Sequence, residues 1–367
     1  RDLYQQLGKE TDVANLWGWI SNCYRDWGKY QQALEAEQQD LAIRQRLDDQ
    51  SEIAHSYYQF GRIYQAWNKY AEAISHHEQS RDLYQQLGKE TDVADLWYWI
   101  SDCYRDWGKY QQALEAEQQD LAILQRLDDQ LNIANAYRKL GNIYDAWENY
   151  ETAIQYYQQS RDIYQQLDQP EKLARQLRNI ANSQCKHTRQ IAVPTTVLTQ
   201  LTQAEQNLQQ AIQLNTKGDY QANLARDYIS LSLICAEQLR HLPPNDPTQP
   251  NLIIQFQTNY PIGFNILTAL GQTLSQAEQS LKIARAYLET PALQNLEIAI
   301  ALTQQSLEIC QTYNRQKLQA DALKLLGELY QHPDQTNPNA TEIALQFLTQ
   351  SQAIDREIGF GDGDLIK

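Results

Sequence analysis

The sequence predicts an all-α solenoid of stacked helical hairpins, and three observations carry that expectation. Residues 1–50 and 81–130 are identical except at Asn15/Asp95, Gly18/Tyr98, Asn22/Asp102 and Arg44/Leu124. At the same offset of 80, residues 51–80 align with 131–160 and keep Tyr57, Gly61, Ile63, Tyr64, Ala66, Trp67, Tyr70, Ala73 and Ile74. Each block then splits into two units of 40, a period that belongs to stacked units, none of which can bury its apolar face alone.

The unit is clearest in Val93 to Leu127. Trp97, Ile100 and Tyr104 are three and four apart, which puts them on one face of a helix. Asp92 is the expected N-cap, with Asp95 in the first turn. Gly108 is the expected stop, since it accepts a left-handed backbone without strain. Tyr110, Ala113, Leu114 and Leu121 form the apolar face of a second helix, and the small Ala113 lets the pair approach closely.

These residues resemble the tetratricopeptide repeat (TPR), whose signature is W-x2-L-G-x2-Y followed by Ala, an aromatic and a small residue. Motif position four falls on Trp17, Tyr57, Trp97, Tyr137 and Leu177, and position eight on Ser21, Gly61, Ser101, Gly141 and Ala181. Position eleven is Tyr24, Tyr64, Tyr104, Tyr144 and Gln184, and position twenty is Ala33, Ala73, Ala113 and Ala153. The resemblance implies a right-handed α-solenoid of helix-turn-helix hairpins over residues 1–190. The unit is 40 rather than 34 residues long, so longer helices are expected. The odd units also place Glu37, Asp40, Glu117 and Asp120 where the pattern has an aromatic and a small residue.

Composition narrows the function. The formal net charge is −15 and the pI about 4.9, which disfavours nucleic acid or an anionic membrane as partner. No apolar run reaches the roughly 20 residues of a membrane helix. Five scattered cysteines, without a C-x-x-C pair, fit a cytoplasmic protein. The chain lacks Met and opens in mid-unit with RDLYQQL, so it reads as a piece of a longer protein.

After the regular units, residues 191–240 read as a degenerate unit with an insertion at 191–197. Its second helix carries Ala204, Leu208 and Ala211, and the next first helix carries Tyr228, Leu231, Ser232 and Cys235. Residues 241–261 hold five prolines and read as a long loop. Residues 262–358 return to helical spacing, in undefined register up to 290. Leu323, Leu326, Gly327 and Tyr330 fit a first helix, and Ala344, Leu348 and Ser351 a second. Residues 359–367 read as a flexible tail, without the helix that a phosphate-binding loop needs.

No catalytic constellation, cofactor motif or metal-ligand set emerges, so the chain reads as a non-enzyme. His77 aligns with Tyr157 and reads as a core residue, and Cys23 and Cys103 as packed small hydrophobes.

The groove is where function is expected. The resemblance implies that first helices line the concave face through positions two, five, six, nine and twelve. Three of the four differences between the long copies fall on that stripe. The candidate groove residues are Asn15, Gly18, Trp19, Asn22, Tyr58, Arg62, Asp95, Tyr98, Trp99 and Asp102. The stripe begins aromatic, as partner anchors do, and turns basic at Arg62, Arg138, Lys139, Arg175 and Arg178. Chaperone-binding members of the family grip a carboxylate with basic and Asn residues. The matching positions here are Arg138, Asn142, Asn179 and Arg226, with Ser230 in place of the last basic residue. The expected function is a module binding a protein or peptide segment, acidic or C-terminal, in the groove. The alternative is a sensor or scaffold region of a larger bacterial signalling protein with an NTPase or caspase-like output domain.

Overall fold

The computed structural model describes residues 9–358, so the expectations for the first eight residues and for the tail 359–367 lie outside the described residues. The described residues form sixteen α-helices and no strand. The chain divides into two compact units, 9–136 and 137–357. Unit 1 contains α1 (Glu10–Asp26), α2 (Tyr30–Arg46), α3 (Gln50–Ala66), α4 (Tyr70–Gln86), α5 (Glu90–Asp106) and α6 (Tyr110–Arg126). The division falls within α7 (Gln130–Ala146). Unit 2 continues with α8 (Tyr150–Gln166), α9 (Pro170–His187), α10 (Pro194–Lys217), α11 (Gln221–His241), α12 (Gln249–Ala269), α13 (Thr273–Glu289), α14 (Leu296–Thr312), α15 (Gln316–Gln331) and α16 (Ala340–Glu357).

The 40-residue period has a simple origin. Each helix from α1 to α8 is 17 residues long, and three-residue joints connect them. The middle residue of each joint is left-handed: Gly28, Asp48, Asn68, Gly88, Gly108, Asp128, Glu148 and Asp168 have φ between +50° and +77°. In the first joint Gly28 N donates to Arg25 O at 3.0 Å and Lys29 N to Tyr24 O at 2.8 Å. This closes the helix end as a Schellman motif. Gly108 therefore ends α5 as expected, but Asp92 does not begin it. The N-cap is Lys89, without a side-chain cap, and Asp92 lies inside the first turn while Asp95 lies beyond it. At the Trp-x-Lys joints before α4 and α6 the lysine stacks on the tryptophan, Lys109 Nζ lying 3.3 Å from the Trp107 ring centroid and Lys69 Nζ 3.8 Å from that of Trp67. Such cation–π contact ties the lysine to the end of the preceding helix, while the first turn keeps no side-chain cap.

The hairpins pack as the spacing predicts. Ile100 and Cys103 of α5 are buried against Tyr70, Ala73 and Ile74 of α4, flanked by Trp97 and Tyr104. Ser101 Oγ donates to the Ala113 carbonyl at 3.0 Å, across a gap that a larger side chain would widen. Cys23 is exposed rather than packed, whereas the equivalent Cys103 is covered by Tyr70, Ala73 and Ile74 of α4.

The acidic departures from the motif are matched pairs. In even units position eight is glycine and the facing residue is a ring. A Cβ on Gly61 would lie 2.4 Å from the His77 imidazole, and one on Gly141 2.5 Å from the Tyr157 ring. In odd units serine faces glutamate: Ser21 bonds to the buried Glu37, and Ser101 and Glu117 are both buried. Asp40 accepts from Ser56 Oγ at 2.8 Å and from Arg44 Nε at 3.3 Å. Small-plus-ring and serine-plus-glutamate fill the same gap, so the hairpin survives the exchange.

Unit 2 departs from expectation at two places. The insertion after α9 is a short 3-10 turn (Thr188–Gln190), an extended Ile191–Val193 and extra turns of the 24-residue α10. Val197 and Leu201, in those extra turns, are buried against Ala181 and Ile234. The second departure is a correction: residues 241–261 are not a long loop. Only 242–248 lie outside helices, and α12 runs through Pro261. Pro250 sits in the first turn, where its missing N–H costs nothing. Pro261 in the interior costs about 3 kcal/mol. Burying Phe256 and Leu267 in the α11–α13 core returns about 1.5–3 kcal/mol each, so packing outweighs the break. Gly263 permits that packing, since a Cβ there would meet the Ala225 carbonyl at 2.6 Å. Gly271, at φ +64°, ends α12 and fixes the register of α13.

Candidate ligand groove

In unit 1 the structure brings Tyr58, Arg62, Tyr98 and Trp99 together. Tyr58 and Arg62 are one turn apart on α3, and Tyr98 and Trp99 are adjacent on α5. The Arg62 guanidinium carbon lies 4.7 Å from the Trp99 ring centroid, and its Nη1 donates to Tyr58 Oη at 2.9 Å. Tyr98 packs edge-on against Trp99, with centroids 5.4 Å apart. Beneath lies the fully buried His77, 5.8 Å from Tyr58 and 6.4 Å from Trp99 by ring centroids. Burial, then Arg62 and His76, holds its pKa down to about 3.

The α1 residues are not drawn into that cluster. Trp19 is 75% exposed, and a Cβ on Gly18 would meet nothing within 4 Å. Asn22 is half-buried. Asn15 is exposed and accepts from Arg44 Nη2 at 2.6 Å. Two of the four differences between the long copies are thus a contacting pair, and one of them, Arg44/Leu124, is buried. The divergence between the copies therefore reaches a packed position as well as the groove stripe. Asp95 is exposed, and Asp102 pairs with Arg105 at 2.6 Å on its own helix.

In unit 2 two of the expected groove cations are already spent. Arg178 is buried with its Nη1 2.7 Å from Asp227 Oδ1, and Asn215 holds the other carboxylate oxygen at 2.6 Å. Lys139 is also buried. Arg178 is structural, because an uncompensated charge in such surroundings is costly, and burial withdraws Lys139 from the groove surface. Arg226 donates to Gln272 and Ser275, both at 3.3 Å. Arg138 and Arg175 flank Tyr164, and burial followed by Arg138 lowers the pKa of Arg175. Of the clamp positions, Asn142 and Asn179 line one cleft together with Ser230, while Arg138 and Arg226 lie outside its lining. Asn142 Oδ1 accepts from Tyr157 Oη at 2.8 Å.

That cleft has a volume of about 440 Å³ and is lined almost entirely by α7, α9, α11 and α13. Its floor includes Leu233, Ala236 and Ala286. Its walls carry a charge network centred on Glu237 and Glu289. Arg240 bridges them, at 2.6 Å from Glu237 and 2.9 Å from Glu289. Arg189 reaches Glu237 at 3.2 Å and Glu289 at 3.3 Å.

The tetratricopeptide repeat family model matches residues 12–86 and 92–166. These stretches are tetratricopeptide repeats. No curated protein matches the chain by sequence. Among solved structures, the apo form of RapI is similar with a TM-score of 0.60 and 13% identity, over 83% of this chain and 99% of that one. The Rap conjugation gene regulator of the plasmid pLS20, in complex with the Phr* peptide, gives 0.55 and 13% over 95% and 96%. A Signal Transduction ATPase with Numerous Domains (STAND) protein with a tetratricopeptide repeat sensor, from Pyrococcus horikoshii, gives 0.51 and 12% over 94% of this chain and 48% of that chain. These likenesses establish the fold, an all-α solenoid of helical hairpins.

Tetratricopeptide numbering explains what the sequence missed. The five groove positions span little more than three turns of the first helix. In α11, a 21-residue helix, Glu237 and Arg240 lie a further turn along. The α13 residues Lys282, Arg285 and Glu289 fall where the register was undefined. A charge at every third or fourth residue, as in Glu237–Arg240 and Lys282–Arg285–Glu289, was the available signal.

Proposed function

We propose that this chain is a non-catalytic interaction module that holds a peptide or protein segment in the groove formed by the first helices of its repeats. The observation carrying this reading is the unit 2 cleft. Four successive first helices contribute to it, and its volume lies in the range of ligand sites. Polar side chains such as Asn142, Asn179 and Ser230 offer hydrogen bonds to a bound backbone, above an apolar floor. The similar regulator complexed with the Phr* peptide supports a peptide ligand for this fold. In unit 1, Tyr58, Tyr98 and Trp99 supply aromatic contact area, with Asn15, Gly18, Trp19, Asn22, Asp95 and Asp102 on the same stripe of first helices. Scattered thiols fit a cytoplasmic setting.

The test is to select binders from a random peptide display library against the whole chain and measure them against Asn179→Trp and Asn182→Trp, which fill the cleft. Selected peptides should lose about tenfold or more in affinity, as when a ligand pocket is blocked. Peptides that bind both variants as well as the parent would overturn the reading.

A second reading, a sensor region within a larger signalling protein, is favoured by one observation. The STAND protein with a tetratricopeptide repeat sensor is similar over 94% of this chain. Sequencing the coding region on both sides of this segment tests it, and flanks without an NTPase or protease domain would overturn it.

A further inference from the structure

We propose that the unit 2 cleft selects an acidic segment, gripping its carboxylates with Lys186 of α9 and Arg189 of the 3-10 turn that follows it on one wall and Lys282 and Arg285 of α13 on the other. This rests on the groove reading above and adds the charge of the ligand.

All four cations have acidic partners within the protein, so a count of charges suggests a neutral cleft. Lys186 touches Asp145, Arg189 touches Glu237 and Glu289, and Arg285 lies 3.3 Å from Glu289 and 2.9 Å from Glu328. Exposure breaks the balance. The Arg189 side chain is 53% exposed and its partner Glu237 4%. Lys186 is 49% exposed and Asp145 18%. Arg285, at 41%, exceeds Glu289 and Glu328. Only Lys282 and Glu278 are evenly exposed. Three of the four cations, Lys186, Arg189 and Arg285, therefore stand toward solvent, with their carboxylates beneath them.

The buried Glu237 and the half-buried Glu289 are also occupied. Glu237 receives Arg189, Arg240 and His241, and Glu289 receives Arg189, Arg240 and Arg285. Their role is to aim the guanidinium groups, which have five donors each and retain some for a ligand. Glu237 is a positioning residue in this sense. The whole chain carries −15, so exposed cations gathered in one cleft are not a by-product of composition. The apolar floor of Leu233, Ala236 and Ala286 adds a second requirement, hydrophobic side chains between the acidic ones.

Labelled short peptides alternating Glu with Leu, Gln with Leu, and Lys with Leu test this by fluorescence anisotropy with the whole chain. The Glu–Leu peptide should bind about tenfold more tightly than the Gln–Leu peptide, and the advantage should shrink as salt screens it. The double variant Lys186→Glu/Lys282→Glu should transfer the preference to the Lys–Leu peptide. Circular dichroism checks its fold, and Lys186→Gln/Lys282→Gln serves if charge reversal unfolds it. Equal binding of Glu–Leu and Gln–Leu, or Glu–Leu binding indifferent to both double variants, would overturn this inference and leave the groove reading standing. Absence of binding by all three peptides would overturn both.

Discussion

At the scale of single residues, unit 1 is a set of matched gaps and fillers. Gly61→Ala places a methyl where the His77 ring lies, at 2.4 Å, and should cost about 1–3 kcal/mol in urea denaturation. The same substitution in a His77→Ala background should cost much less, because the obstacle is gone. His77 also sets an acid limit. Its folded pKa is about 3, below the ordinary 6.5, so its contribution is full above about pH 6.5 and is lost as pH falls through 3. Glu37 sets the opposite limit. Burial, opposed mainly by the Ser21 hydrogen bond, raises it from 4.5 to about 8. A raised pKa gives stability that is full below pH 4.5 and lost as pH rises through 8. Urea midpoints between pH 4 and 9 should flatten on the alkaline side in Glu37→Gln and on the acid side in His77→Phe. The alignment of His77 with Tyr157 made the histidine legible as core. The serine–glutamate pairs were not legible, because sequence shows the charges of Glu37 and Glu117 but not which serine faces each.

At the scale of elements, the helices were legible because spacing and joint chemistry agree. Gly, Asn and Asp at most joint centres announce a left-handed residue. Glu148 does not, yet it adopts φ +60°. A left-handed residue with a long side chain is strained by about 1–2 kcal/mol. Glu148→Gly should therefore raise stability by about 1 kcal/mol, seen as a higher thermal midpoint with the circular dichroism spectrum unchanged. Prolines misled at α12 because local rules price the break alone. The compensation comes from Phe256, Gly263 and Leu267 meeting α11 and α13, contacts distant in sequence. The cleft charges escaped for a related reason. Lys282, Arg285 and Glu289 lie on α13, whose register could be set only after α12 was placed, while Glu237 and Arg240 lie on α11 beyond the five groove positions.

At the scale of the whole chain, the repeat makes the array divisible. Deleting residues 50–129 removes one block of two 40-residue units and joins Asp49 to Gln130, reproducing the Leu-Asp-Asp-Gln joint of 127–130. The shortened chain should fold with the same fractional helicity. Its calorimetric unfolding enthalpy should drop by about 55 kcal/mol, at about 0.7 kcal/mol per residue. A loss of helicity beyond the deleted share would show that this pair of units is not an independent block.

The near-identity of the two copies also creates a sorting problem during folding. Helices α2 and α6 differ only at Arg44/Leu124, so α5 meets two almost interchangeable mates. The swapped match even sets Arg44 against Asp95, a charge pair that the native match lacks. Surface complementarity therefore cannot choose between them, and chain connectivity must. A native hairpin closes a three-residue joint, whereas joining α2 to α5 closes the 43 residues 47–89. That difference favours the native partner by about 2 kcal/mol of loop entropy. The shortness of the joints keeps the copies in order, and lengthening one of them should make this chain prone to trading helices.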